Sequence, residues 1–413
     1  MSALKREFWF LMHDRAALLW LGLALMSAVI AVFLGLKVIG EQRTTITNLI
    51  EADQIERDVV MQDQKDWGGA AYYLFHLTYD EPSNFAFAAL GQRDVSPWKH
   101  RIRMLSLEGQ IYETDSVNPD FALIGRFDFA FVASLLAPLF LILILHDQRS
   151  RERAAGRLDL LESTARNSGL WRYRSLLRTI LLWVCLAVPL WVGGMAAGSS
   201  LSTLLFASLA VLVHLFIWWL IISFVTAKGW SSAVNLVGLM GVWVLLAVIM
   251  PGAIKAGVNA TVPVPEGGDI LLTQREAVND AWDLPKEATW KPFVERHPEL
   301  ADYAKIDAPF EWKWYYAFQQ VGDQKAESLS LAYREGRQRR DQLAGLLSVV
   351  SPSSTVQRYF ELLAHTNAAA ALEYETRVRN YHGQLRGFYY PKMFKDEPFK
   401  LEVAKQHPAF DPR

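Results

Sequence analysis

The sequence predicts an all-α integral membrane protein with five transmembrane helices and a mostly helical extracytoplasmic domain. Three observations carry this. Several apolar runs reach the roughly 20 residues that cross about 30 Å of hydrocarbon. An arginine-dense stretch between two of them marks a cytoplasmic loop, because the positive-inside bias acts on short loops beside spans. The long segments that remain are polar and helical in pattern, and none reaches spanning length. Of the 413 residues, 52% are hydrophobic and 15 are Trp, so apolar character is concentrated in segments. A net charge of -1 offers no basic face to a nucleic-acid partner. The single cysteine, Cys185, leaves no disulfide framework or Cys metal site within one chain.

Residues 1–15 mix Lys5, Arg6 and Arg15 with Phe8, Trp9 and Phe10, the composition of an interfacial helix. Residues 16–39 form the first span, a retained helix rather than a cleaved signal, with the N-terminus cytoplasmic. The first extracytoplasmic segment, 41–126, opens with Ile46, Leu49, Ile50, Ile55 and Val59 at helical spacings. The helix is therefore expected to continue above the membrane. The stretch from Trp67 to Trp98, rich in aromatics, Gly and Pro, suggests a compact patch packing on lipid headgroups or on a partner. Residues 127–145 are the second span. Asp128 at its outer edge reads as one half of an interfacial ion pair with Arg126, or else as a group with a role in transport.

The loop 146–178 carries Arg149, Arg151, Arg153, Arg157, Arg166, Arg172, Arg174 and Arg178 against four acids. In its middle Leu158, Leu161 and Ala165 recur at helical spacing with Leu160 beside them, which predicts a short amphipathic helix lying under the membrane. Spans follow at 179–198 and 201–225, joined by small residues that suit a tight turn, and at 233–254, where Pro251 is expected to break or kink the helix. His214 falls inside the fourth span. An ionisable residue at that depth is by default a functional-site candidate, but a neutral His bonded to a neighbouring helix is the favoured reading. Five crossings from a cytoplasmic start put 255–413 outside. Within it 308–347 reads as a long helix broken near Gly322, 343–365 as a candidate re-entrant segment, and 367–390 as another amphipathic helix.

No phosphate-binding loop, HExxH or GxSxG is present, so the chain itself has no motif for ATP hydrolysis, metalloprotease or serine-hydrolase chemistry. No catalytic or metal-ligating residue is nominated. The spans also lack the charged residues a channel or proton-coupled carrier would need. What these observations leave is a membrane machine driven from elsewhere, with the basic loop as its point of contact.

At this point the residues resemble a known family. An interfacial helix, a span, an outside loop, a second span and then Glu152, Arg153, Gly156, Leu158, Leu160 and Leu161 look like the permease subunit of a type-2 ATP-binding-cassette (ABC) transporter. In such permeases the corresponding loop is a coupling helix that docks on the ATPase subunit. Family members usually carry Gly-Thr-Leu where this chain has Gly156-Arg157-Leu158. Residues 90–98, Asn118–Pro119, Gly125–Phe131, Phe310–Asp323 and 351–366 are similar to a bacterial subgroup with an enlarged extracytoplasmic domain and uncharacterised function.

The resemblance implies two ATPase copies carrying ATP and Mg, a second permease that is identical or homologous, and a bacterial inner-membrane location with 255–413 periplasmic. It implies no cofactor in this chain. The family norm is six spans, so the expectation is either a further span directly after Arg413 or a C-terminus that stays outside. Generic export of an unidentified substrate and ATP-driven mechanical work on a periplasmic protein are both expectations of this resemblance.

Overall fold

The computed structural model describes residues 3–113, 127–164 and 169–412. Asn118–Pro119, Gly125, Arg126, Ala165 and Arg166, all used in the sequence reading, lie outside the described residues. The described chain is all-α apart from one short ribbon. Five of its helices are long and apolar enough to cross a membrane.

Helix α1 (Ala3–Met12) turns at His13 into α2 (Arg15–Gln62), whose first turn is capped by the Asp14 carboxylate. The apolar half of α2 buries Ala24, Ala28, Ala31 and Gly35 along one stripe, small residues that let neighbouring backbones approach closely. Its polar half continues as a helix to Gln62, as the spacing predicted. After α3 (Trp67–Tyr73), strands β1 (His76–Tyr79) and β2 (Lys99–Ile102) pair antiparallel with His76 opposite Ile102. A short α4 (Leu107–Tyr112) follows.

The second apolar helix, α5 (129–145), contains a π-turn at Val132–Leu136. Next come α6 (Gln148–Ala154), α7 (Leu158–Thr164), α8 (Leu170–Ala196), α9 (Leu201–Thr226) and α10 (Ser232–Thr261). The turn between α8 and α9 is tight, with Gly198 at φ +75. The rest of the chain is α11 (Gly267–Asp283), α12 (Glu287–Arg296), α13 (Trp312–Leu347), α14 (Pro352–Ala364), α15 (Ala368–Phe394) and α16 (Leu401–Ala404).

Two cores result, and α2 enters both. Ala17 through Ile39 pack in the bundle, while Met61 joins an aromatic core with Trp67, Trp314, Phe318, Tyr374 and Tyr389. The patch expected to face headgroups or a partner is instead largely buried inside the chain. Trp67 and Ala70 lie against α13 and α15, and the Tyr316 hydroxyl donates to Gly68 O at 3.0 Å. The chain's own C-terminal helices supply the apolar cover that the sequence seemed to require from outside. Within this second core His100 and His382 are buried. Burial pushes the His100 ring down to about 4 and the His382 ring well below its ordinary value, with nearby Arg379 and Arg386 acting in the same direction.

Two expected breaks are corrected. Helix α13 passes unbroken through Gly322, because the glycine serves a close approach: a Cβ there would sit 2.8 Å from Val278 Cγ2 of α11. Helix α10 runs past Pro251 to Thr261. The π-turn Leu245–Ile249 just before the proline supplies an extra residue where its ring would otherwise meet a carbonyl. Helix α8 begins at Leu170, ahead of the span expected from 179, and carries Arg172, Arg174 and Arg178 on its first turns.

Residues 85–90 form a buried segment, a single 3-10 turn at Ala86–Ala88 with irregular flanks, laid on α2, and Gly35 makes room for it. A Cβ at Gly35 would lie 2.0 Å from the Phe87 carbonyl oxygen, whereas nothing lies within 4 Å of Gly40. Gly35→Ala should therefore lower stability by about 1–3 kcal/mol, the usual cost of overpacking, while Gly40→Ala should not. Thermal unfolding of the purified protein in detergent checks this, and equal midpoints for the two variants would contradict the close approach.

Candidate functional site

The predicted coupling residues fold as two short helices rather than one. Gly156 separates α6 from α7 at φ +68, and no atom lies within 4 Å of where its Cβ would be. Left-handed backbone, not crowding, is what selects glycine here. Ionic contacts close the resulting hairpin: Arg149 reaches Glu162 at 2.9 Å, and Arg157 reaches Glu152 at 2.9 Å. Leu158 turns inward at 8% exposure, Leu161 is half-buried, and Leu160 stands out at 63%.

The hairpin is tied to the rest of the bundle's basic end. Arg153 donates to Gly229 O in the turn before α10, and the Ser150 and Ser232 hydroxyls are 2.7 Å apart. Asp14 receives Arg151 at 3.1 Å and Arg178 at 2.9 Å, joining α6 and α8 to the start of α2. Burial alone would raise the Asp14 carboxyl, but the Arg151 hydrogen bond and the Arg178 charge outweigh it and hold it below its ordinary value. Glu7 of α1, 2% exposed, receives Arg174 at 2.7 Å. The arginines that mark the loop in the sequence are thus largely engaged in pairing, and α1, α6, α7 and the start of α8 form one ionic platform. Glu7 and Asp14 were missed because their partners are more than a hundred residues away. Only a buried acid beside the aromatics of α1 could have hinted at them.

The two intramembrane candidates both engage α5, His214 at its π-turn and Asp128 at its first turn. A π-turn breaks the regular i+4 ladder and leaves carbonyl oxygen to be satisfied from outside the helix. His214 Nε2 lies 3.2 Å from Ser134 O, and Trp243 Nε1 donates to Leu135 O at 3.1 Å. The π-turn of α10 is answered in the same way, by Ser351 Oγ donating to Leu246 O at 2.7 Å. His214 therefore joins α9 to α5 as a helix-to-helix bond. Asp128 caps α5, accepting from Phe131 N at 2.8 Å, and its other oxygen accepts from Leu90 N at 3.0 Å. Its engagement is with the backbone of the buried 85–90 segment; Arg126, the expected partner, is outside the described residues.

The hairpin of α13 and α14 lies against the opposite half of the bundle. Val356, Phe360 and Ala364 pack into the bundle core with Phe85 and Phe129, while Leu346 and Val349 at the tip are 73% and 75% exposed. Between this hairpin, α5 and α10 is a cleft of about 760 Å³. No local pattern announces it, because its walls come from four separate parts of the chain.

Replacing Asp14 with Ala leaves Arg178, whose side chain is 5% exposed, without its carboxylate. A buried pair broken on one side typically loses about 3–5 kcal/mol, so Asp14→Ala should unfold well below the parent. Adding Arg178→Met should recover part of the loss. Thermal unfolding of the single and double variants measures both, and a double variant no better than the single would count against a buried pair.

A family model described as a domain of unknown function (DUF3526) matches residues 270–413, from α11 to the end of the chain. No curated protein matches the chain, and no solved structure does.

Proposed function

We propose that this chain is the membrane-spanning permease subunit of an ABC transporter, driven by a separate ATPase subunit and exporting a substrate across the bacterial inner membrane. The observation that carries the reading is the ionic platform at the basic end. There α1 and the α6–α7 hairpin are locked to three apolar helices, and Leu160 projects beside Asp159 and Glu162. A lever that takes force from a docking partner must be stiff where it is pushed, and buried ion pairs give that stiffness. On this reading the platform faces the cytoplasm, residues 255–413 are periplasmic, and the hairpin of α13 and α14 is a re-entrant element. Two ATPase copies, with ATP and Mg, would act on this permease and a second one, identical or homologous.

A second reading has its own support. Helix α2 is unbroken from Arg15 to Gln62 and contributes to both cores. Tilting at the basic end would then be delivered to the far domain, as mechanical work on a periplasmic partner.

Leu160→Asp tests the docking surface while sparing the inward-facing Leu158. Loss of a central apolar anchor should weaken copurification of the ATPase subunit by roughly tenfold or more, with unchanged membrane insertion and thermal midpoint. Undiminished copurification would overturn the coupling assignment.

A further inference from the structure

The cleft beside α10 has the chemistry of a binding site. Its volume of about 760 Å³ lies within the roughly 300–1,000 Å³ typical of ligand pockets. One wall is the apolar side of α10, from Ala247 through Pro251 and Ile254 to Val258. That helix is the least buried of the five apolar helices, and exposed Val248 and Ile249 adjoin Ala247 in the chain. On the hairpin side, exposed Leu346 and Val349 flank the lining residue Ser348 in the chain. An apolar molecule could therefore reach the cleft along surfaces that are themselves apolar.

The rest of the lining mixes apolar Val95, Phe131 and Leu135 with charged side chains, and those charges are unevenly paired. Arg358 is paired with Asp341 at 2.9 Å and Arg337 with Glu375 at 3.0 Å. Among the acids, Asp128 accepts two backbone N–H groups and Glu361 accepts from Gln357 at 3.1 Å, while Asp94 also lines the cleft within electrostatic reach of Asp128. Two cations differ. Arg340 donates to Val262 O at 2.8 Å, and neither it nor Lys255 has a carboxylate within ion-pair distance among the described residues. Ser353, 3% exposed and also lining the cleft, has a hydroxyl with no hydrogen-bond partner among those residues. Two cations outside any ion pair and a spare hydroxyl beside an apolar wall suit an anionic oxygen group attached to a hydrocarbon chain, seated on the Lys255 and Arg340 side of the cleft and away from Asp94 and Asp128.

We infer that the cleft binds a phosphate-bearing lipid, its headgroup held by Lys255 and Arg340 and its acyl chain lying against Pro251, Ile254 and Val258 of α10. As the substrate class of a transporter this rests on the export reading above; as a binding site it does not. The chain contacts discriminate weakly among acyl chains, whereas the two cations discriminate for charge. The site is accordingly selective for the headgroup.

The experiment uses the full chain purified without an ATPase subunit, in a neutral detergent, with phosphatidylglycerol carrying a photoactivatable group on its acyl chain. Adducts are expected on α10 between Ala247 and Val258. Lys255→Gln with Arg340→Gln should cut their yield by roughly tenfold, the loss expected for two charge-assisted contacts. Ile254→Trp, which fills the apolar wall and keeps both cations, should also abolish them. Diacylglycerol with the same chains should label weakly, and inorganic phosphate should not displace the lipid at millimolar concentration. Equal labelling by diacylglycerol, or labelling indifferent to Ile254→Trp, would mean a lipid annulus and overturn the site. Full displacement by phosphate would mean a free-phosphate site and overturn it equally. Because no ATPase is present, failure here leaves the docking result at Leu160 untouched, and the reverse holds too.

Discussion

Within hydrocarbon, every backbone polar group has to find its partner inside the protein, and that constraint organises the bundle. Regular helices satisfy it automatically. This chain departs from regular helix at residues 85–90 and at the π-turns of α5 and α10, and each departure is met by a specific side chain or by buried packing. His214, Trp243 and Ser351 donate to carbonyls in the two turns, while Asp128 receives the Leu90 amide. Thr366 Oγ1 adds a bond to Ala89 O at 2.9 Å, and Ser83 Oγ donates to Ala364 O. The few polar residues in the apolar region thus hold irregular backbone in place. They also fix the floor of the cleft, since Asp128 and Ser134 line it.

The same irregularity separates the two ends of the molecule by character. At the basic end, α1, α2, α6 and α8 are bound together by ion pairs centred on Asp14 and Glu7. At the other end, the 85–90 segment and the α13–α14 hairpin are inserted among the helices, and α10 stands partly away from its neighbours. A push on the platform would be carried by α2 with little loss, because that helix is continuous into the second core. It would be felt where packing is interrupted, around the cleft. Stiff input and adjustable output are what either an exporter or a mechanical transmitter requires.

Much of this was legible in the sequence because hydropathy and length are global signals. The five long apolar helices, the extension of α2 and the tight turn at Gly198 all follow from composition over many residues. The misreadings came from residues whose local meaning is ambiguous. Gly322 and Pro251 look like breaks, but one serves a close approach to α11 and the other follows a π-turn that absorbs its ring. Gly156 is the reverse case: a helical pattern of leucines ran across a position that the backbone turns left-handed. The aromatics near Trp67 were read as a surface because their cover, α13 and α15, lies more than two hundred residues away. The Asp14 and Glu7 anchors and the cleft were hidden for the same reason, since each is assembled from distant segments with no shared periodicity.

The claim on which the rest turns is that force from an ATPase enters at the α6–α7 hairpin. The most direct measurement places a photocrosslinking amino acid at Leu160 in intact membranes in which the chain is co-expressed with a candidate ABC ATPase subunit. An adduct with that subunit, changing in yield between nucleotide-free and ATP-bound states, is the predicted result. Adducts confined to lipid, or the absence of any ATPase adduct in both states while the protein remains folded, would contradict it.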